Sequence, residues 1–216
     1  MTRLVRLVSV NVATPKLLGQ HRGRPILSGI AKAPVTVDGL RLDRLNLEGD
    51  GQADLSVHGG PDKAVYAYPS EHLAGWAVEL GQELGPAAFG ENLTTAGETE
   101  DEVCIGDRWF WGDAVLEVSQ PRSPCFKLAM HRGRGDIGRL LRQSGRCGWY
   151  LRVLEPGLVP VAGPIRLEPH DVGATVTAAH LALWSREVPA EVVEALLSVE
   201  PLALEWKMAL ASRLRD

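Results

Sequence analysis

Apolar positions alternate with polar ones through the first two thirds of the chain, and the pattern turns helical near Val172. Val8, Val10 and Val12 alternate with Ser9 and Asn11, as in a half-buried strand. Val35-Thr36-Val37, Asp38-Gly39 and Leu40-Arg41-Leu42 predict a hairpin, since Asp-Gly suits the two-residue turn that follows strand twist. Arg108 to Trp111, Gly112-Asp113 and Ala114 to Val118 predict a second. Ala64 to Tyr68, Tyr150 to Leu154 and Ile165 to Leu167 read as further strands, and Cys104 as a strand residue between Val103 and Ile105.

Two helices interrupt the strands. Ser70 is placed to cap the first, with Leu73, Trp76, Ala77, Leu80 and Leu84 on one face. Asp136 is placed to cap the second, with Ile137, Leu140 and Leu141 on one face. Short scattered strands and few helices favour a closed or nearly closed β-barrel over a parallel α/β sheet. Three short helices follow. One starts at Thr175 or Thr177, one near Pro189 with Val192, Val193, Leu196 and Leu197, and one at Pro201 with Trp206, Leu210 and Leu214. The fold expected is therefore mainly β: a barrel domain over residues 1–170 and a small three-helix region over 171–216. Helices this short bury too little among themselves. Their apolar faces should cover the barrel or join two copies in a homodimer.

Composition sharpens this picture at three points. Gly (23) and Pro (14) are plentiful, as a turn-rich β fold requires. The net charge of −4 argues against a broad nucleic-acid or membrane face, but not against a small anion pocket. No apolar run approaches the roughly 20 residues of a membrane span. The start lacks the apolar core of a signal peptide, so a cytoplasmic location is expected. The three cysteines, Cys104, Cys125 and Cys147, are odd in number and far apart, which is no disulfide framework. No two of the six histidines stand at metal-ligand spacing.

Chemistry concentrates in Ser119-Gln120-Pro121-Arg122-Ser123-Pro124-Cys125-Phe126-Lys127. Two prolines stiffen this loop after a strand and hold Cys125 between two cations, Arg122 and Lys127. Nearby positive charge favours thiolate, the form that bonds a soft metal or attacks as a nucleophile. A buried inert cysteine is the bland alternative. His58-Gly59-Gly60-Pro61-Asp62-Lys63 offers a glycine pair for close backbone approach, with His58 and Lys63 to meet an anion. By itself it reads rather as a polar turn entering the strand Ala64 to Tyr68. Phe89-Gly90-Glu91-Asn92-Leu93 brings Asn92, a donor for a carbonyl or a pterin edge. Ser28-Gly29-Ile30-Ala31-Lys32 brings Lys32. Trp109-Phe110-Trp111 reads as core packing, and Cys104 and Cys147 as structural.

Taken together, Leu47 to Asp50, His58 to Ala64, Phe89 to Leu93 and Ser119 to Cys125 resemble, in order, the motifs of the MOSC family, and of its YiiM branch in particular. The resemblance runs roughly from Ser28 to the end. It implies a β-barrel core with a C-terminal three-helix region. It implies that Cys125 binds the metal of a molybdenum cofactor (molybdopterin), alongside two dithiolene sulfurs of the pterin. Lys32, His58, Lys63 and Arg122 would then help to hold the cofactor phosphate. The activity implied is reductive removal of oxygen from small N-hydroxylated compounds, such as hydroxylaminopurine bases. No flavin, haem or iron–sulfur motif is present, so electrons are expected from a separate reductase. Three alternatives remain at this level: a carrier that delivers molybdenum cofactor or sulfur, a metal-free hydrolase using Cys125 with His58 or His131, and a binding module.

Overall fold

The computed structural model describes residues 2–53, 59–170 and 174–215. Its N-terminal half holds β1 (Arg3–Val12), β2 (Lys16–His21), β3 (Arg24–Ser28), β4 (Ala33–Pro34), β5 (Gly39–Leu42), β6 (Val65–Pro69), α1 (Leu73–Leu80) and β7 (Leu93–Ala96). Then come β8 (Arg108–Trp111), β9 (Ala114–Pro121), α2 (Phe126–Arg132), α3 (Ile137–Ser144), β10 (Trp149–Glu155), β11 (Gly157–Pro160) and β12 (Pro164–Glu168). The chain ends in α4 (Val176–Trp184), α5 (Ala190–Leu197) and α6 (Leu204–Arg213). No helix among the described residues is long and apolar enough to cross a membrane.

Seven strands close into the barrel in the order β12-β8-β9-β10-β6-β7-β1, and β1 pairs back onto β12. Every pairing is antiparallel except β6 with β7, which α1 connects. Closure leaves no edge among these seven strands. The interior is filled by large side chains: Trp109, Trp111, Leu116, Trp149 and Leu151 are all buried. The expected hairpin at Gly112-Asp113 is the β8–β9 connection, with Trp111 opposite Ala114. Trp109 packs edge-on against Trp149 at 5.8 Å, a core contact.

The other predicted hairpin does not form. Leu40 and Leu42 pair with Val159 and Gly157 of β11, not with Val35 to Val37. Both leucines are buried there, whereas Val37 is left 49% exposed. Burial against a distant strand outweighs the local turn preference of Asp38-Gly39. The alternation in β1 also changes phase. A bulge between Leu7 and Ser9 turns Val8 outward and sets Val10 and Val12 on the core with Val5 and Leu7, while Ser9 and Asn11 are buried as well. The buried Asn11 is satisfied, donating to Thr94 Oγ1 at 3.1 Å and accepting from Ser9 at 2.7 Å.

Helices α1, α2 and α3 cover one flank through a second apolar cluster, in which Tyr66, Tyr68, Trp76, Phe89, Leu128 and Leu141 meet. Neither Ser70 nor Asp136 caps a helix with its side chain. Ser70 opens a short 3₁₀ turn before α1, and Asp136 pairs with Arg134 instead. Thr175 does cap α4, accepting from the Ala178 amide at 3.0 Å. The C-terminal helices share one continuous core with the barrel: Val176, Val193, Leu196, Trp206 and Leu210 join the cluster that contains Val103 and Ile105. The expected boundary at residue 171 lies outside the described residues.

Candidate functional site

Five loops meet beside β6 and β10 and enclose an open cleft. The cleft takes in about 710 Å³ of space, its solvent-open mouth included. Lys32, Lys63, Asn92, Arg122 and Cys125 all line it, although they come from four separate motifs. His58, which the sequence groups with them, lies outside the described residues.

Cys125 and Arg122 arrive on the loop that leaves β9. That loop is pinned where the Arg122 amide donates to Gly148 O at 3.2 Å. Pro121 and Pro124 fix φ on either side, so the loop has few alternatives. Cys125 stands in an extended conformation just ahead of α2, its carbonyl accepting from the Leu128 amide. None of the three cysteines forms a disulfide. Lys127, two residues on, is buried at the same cleft wall and has no ion-pair partner among the described residues.

Arg122 is only 4% exposed. Its guanidinium lies 5.3 Å from the Tyr66 ring, and its Nη1 has no hydrogen-bond partner among the described residues. Burial opposes the charge, yet the pKa is held above the ordinary arginine value by Tyr66, Tyr150 and Cys125 facing it. A buried guanidinium nitrogen without an acceptor is costly, and native proteins keep such groups where a ligand completes them.

The opposite wall is built around Asp50. Its Oδ1 accepts from the Ala13 amide and from Lys32, in a pair whose side chains are 8% and 1% exposed. Burial lowers the Lys32 pKa, and Asp50 partly offsets that. Asp50 Oδ2 accepts from Asn92 Nδ2 at 2.9 Å. Asn92 also donates to Asn11 O at 3.3 Å and accepts from the Tyr66 amide at 3.1 Å. Its side chain is thus spent on bracing the wall. Glu91 braces the same turn: it accepts from the Ala87 and Phe89 amides at 2.8 and 2.9 Å, and burial pushes its carboxyl pKa up.

Two glycines allow these loops to close. A Cβ on Gly29 would stand 2.2 Å from Gly51 O, and one on Gly90 would stand 2.6 Å from an Ile30 methylene at φ +80°. Lys63 ends a 3₁₀ turn at the mouth, where its Nζ pairs with Glu205 Oε2 at 2.5 Å. Glu205 belongs to α6, so the C-terminal region reaches the cleft.

Among the described residues lining the cleft, four cations, Lys32, Lys63, Arg122 and Lys127, stand with one carboxylate, Asp50. The pocket is basic although the chain is acidic overall. Tyr66, Tyr150 and Glu205 carry no local sequence signal of a site, whereas Asp50 ends the Leu47–Asp50 motif and Lys127 flanks Cys125. Cys147 is fully buried, donates to Gly148 O, and burial raises its thiol pKa well above the ordinary value. Cys104 sits outside the cleft, its pKa also raised by burial. His131 does not line the cleft, and burial lowers its pKa. His180 is buried against Arg142 O at 2.8 Å.

Comparison with known proteins agrees with this architecture. The MOSC domain model matches residues 54–166. Protein YiiM of Escherichia coli K12 is 41% identical over 209 residues, covering 94% of this chain and 91% of that protein. The crystal structure of YiiM from Geobacillus stearothermophilus superposes with a TM-score of 0.81 at 32% identity, covering 97% of this chain and 99% of that one. A protein of Gibberella moniliformis named a reductase is 43% identical over 114 residues, half of this chain and 20% of that protein.

Proposed function

The chain belongs to the MOSC domain family, and from that premise we propose that it is a molybdenum-cofactor enzyme that reduces N-hydroxylated small molecules. The observation that carries the reading is one wall of the cleft: Cys125 beside buried Arg122, whose Nη1 has no acceptor among the described residues. Among the described residues no three His, Cys, Asp or Glu side chains gather as a metal site. A soft metal held by Cys125 would have to bring its remaining ligands with it, as a dithiolene pterin does. The donor set therefore fits the cofactor.

The cofactor, when bound, would supply two-electron oxygen-atom chemistry. The chain's own residues do the rest. Cys125 Sγ would hold the metal. Arg122, Lys127, Lys32 and Lys63 all line the cleft and would neutralise the negative charge of a bound anion. Asp50 aims Lys32 through their ion pair and partly offsets the lowering of its pKa by burial. Phe89 and Tyr66 form an apolar wall that keeps water from the reacting atoms. Overall, an N-hydroxylamine takes up two electrons and two protons and yields an amine and water. The electrons come from an external reductase. The relative named a reductase makes a redox role reasonable for the shared segment.

The test is steady-state turnover. Cofactor-loaded protein with a chemical reductant and an N-hydroxylated purine should release the amine over many cycles. A single stoichiometric event, or transfer of the intact cofactor to an acceptor protein, would replace this reading with a delivery role.

A further inference from the structure

Lys63 is the cleft cation nearest solvent that is already paired, and its partner comes from the far end of the chain. The turn that carries it is held by a network reaching three elements. Ser119 on β9 donates to Asp62 O at 2.6 Å. Arg152 on β10 binds Asp62 Oδ1 at 2.8 Å and Glu117 Oε1 at 2.7 Å, and donates to Pro201 O at 2.8 Å. The Ala203 amide, just ahead of α6, donates to Ser119 O at 3.0 Å. The start of α6 is thus fixed against the Lys63 turn, and Glu205 in its first helical turn falls on Lys63 Nζ.

The two partners are unequal. The Lys63 side chain is 14% exposed and faces the cleft, while that of Glu205 is 66% exposed and lies outside the lining. An exposed carboxylate is well hydrated, so little is lost when it gives up its partner. An anion entering a basic cleft would bring a second acceptor to the same ammonium, and one ammonium with three donors is readily shared or exchanged.

We propose that Glu205 is a latch on Lys63: it occupies the ammonium in the empty cleft and yields it to an incoming anion, so that the C-terminal region sets the threshold for anion entry. This rests on the cleft being an anion site and requires no metal. Each anion oxygen gained by Lys63 Nζ replaces one from Glu205, with no covalent change.

The test is calorimetric titration of the 216-residue chain with inorganic phosphate at low ionic strength. Glu205→Gln removes the competing charge and keeps the side-chain volume. It should tighten phosphate binding by up to about fivefold, the range open to an exposed ion pair. The gain should shrink as salt is raised. In a Lys63→Met background, Glu205→Gln should change phosphate affinity by less than about twofold, because the latch has nothing left to hold. Four results would overturn the proposal: weaker binding in Glu205→Gln, unchanged binding, equal tightening with and without Lys63, or no phosphate binding by the parent chain. None of these readouts involves molybdenum or turnover, so failure here is distinct from failure of the proposed function.

Discussion

Asn92 Nδ2 donates to Asp50 Oδ2 at 2.9 Å, and this one bond joins two motifs 42 residues apart into a single wall of the cleft. Asp50 in turn holds Lys32, and Asn92 holds the Tyr66 amide. Asn92→Ala would leave the Tyr66 amide and one Asp50 oxygen short of partners inside the protein. The expected cost is about 2–4 kcal/mol, from the desolvated groups left behind. Urea unfolding should show the midpoint moving down. A loss below about 0.5 kcal/mol would mean that water replaces Asn92 freely and that the wall is not closed.

Glu91 gives a pH dependence with a definite sign. Burial raises its carboxyl pKa above the ordinary 4.5. The folded state therefore holds a proton that the unfolded state releases. The stability that Glu91 contributes is fully present below about pH 4.5 and is lost as pH rises through the folded value. Glu91→Gln cannot titrate. The stability of the parent chain minus that of Glu91→Gln should fall as pH is raised from about 4 to about 7. A difference that grows over that interval would mean that the Ala87 and Phe89 amides win over burial.

The C-terminal region is part of the barrel's core rather than an addition to it. Trp206 is buried, and its indole N–H donates to Ala179 O at 3.2 Å. Trp206→Ala should cost about 3–5 kcal/mol, as large-to-small changes in a shared core do. It should lower one cooperative melting transition. A separate low-temperature transition, with the main one unmoved, would show that the helices unfold independently.

Local features were legible in the sequence and long-range ones were not. The β8–β9 hairpin could be read because Gly112-Asp113 and its flanking strands are adjacent. The partner of Leu40 and Leu42 is not legible, because β11 lies more than a hundred residues on and nothing in Asp38-Gly39 reports it. The bulge in β1 has no signal in the valine spacing: Val10 and Val12 meet the core as the alternation predicts, whereas Val8 is turned outward. At the site, Cys125, Arg122, Lys32 and Lys63 were found through residue type and motif. That Asn92 braces the wall follows from partners at Asn11, Asp50 and Tyr66, which only the fold brings together. The Lys63–Glu205 pair spans 142 positions and has no local signal at all.

The central claim is that Cys125 carries molybdenum, and metal content tests it without any assay of turnover. Protein made in molybdate-fed cells should contain molybdenum approaching one atom per chain. Cys125→Ala should fold with the melting temperature of the cofactor-free parent chain, within a degree or two, yet retain almost none. The double change of Cys104 and Cys147 to Ser, by contrast, should keep the metal in whatever fraction folds. Molybdenum bound equally by the parent chain and Cys125→Ala, or absent from the parent chain under these conditions, would contradict the account.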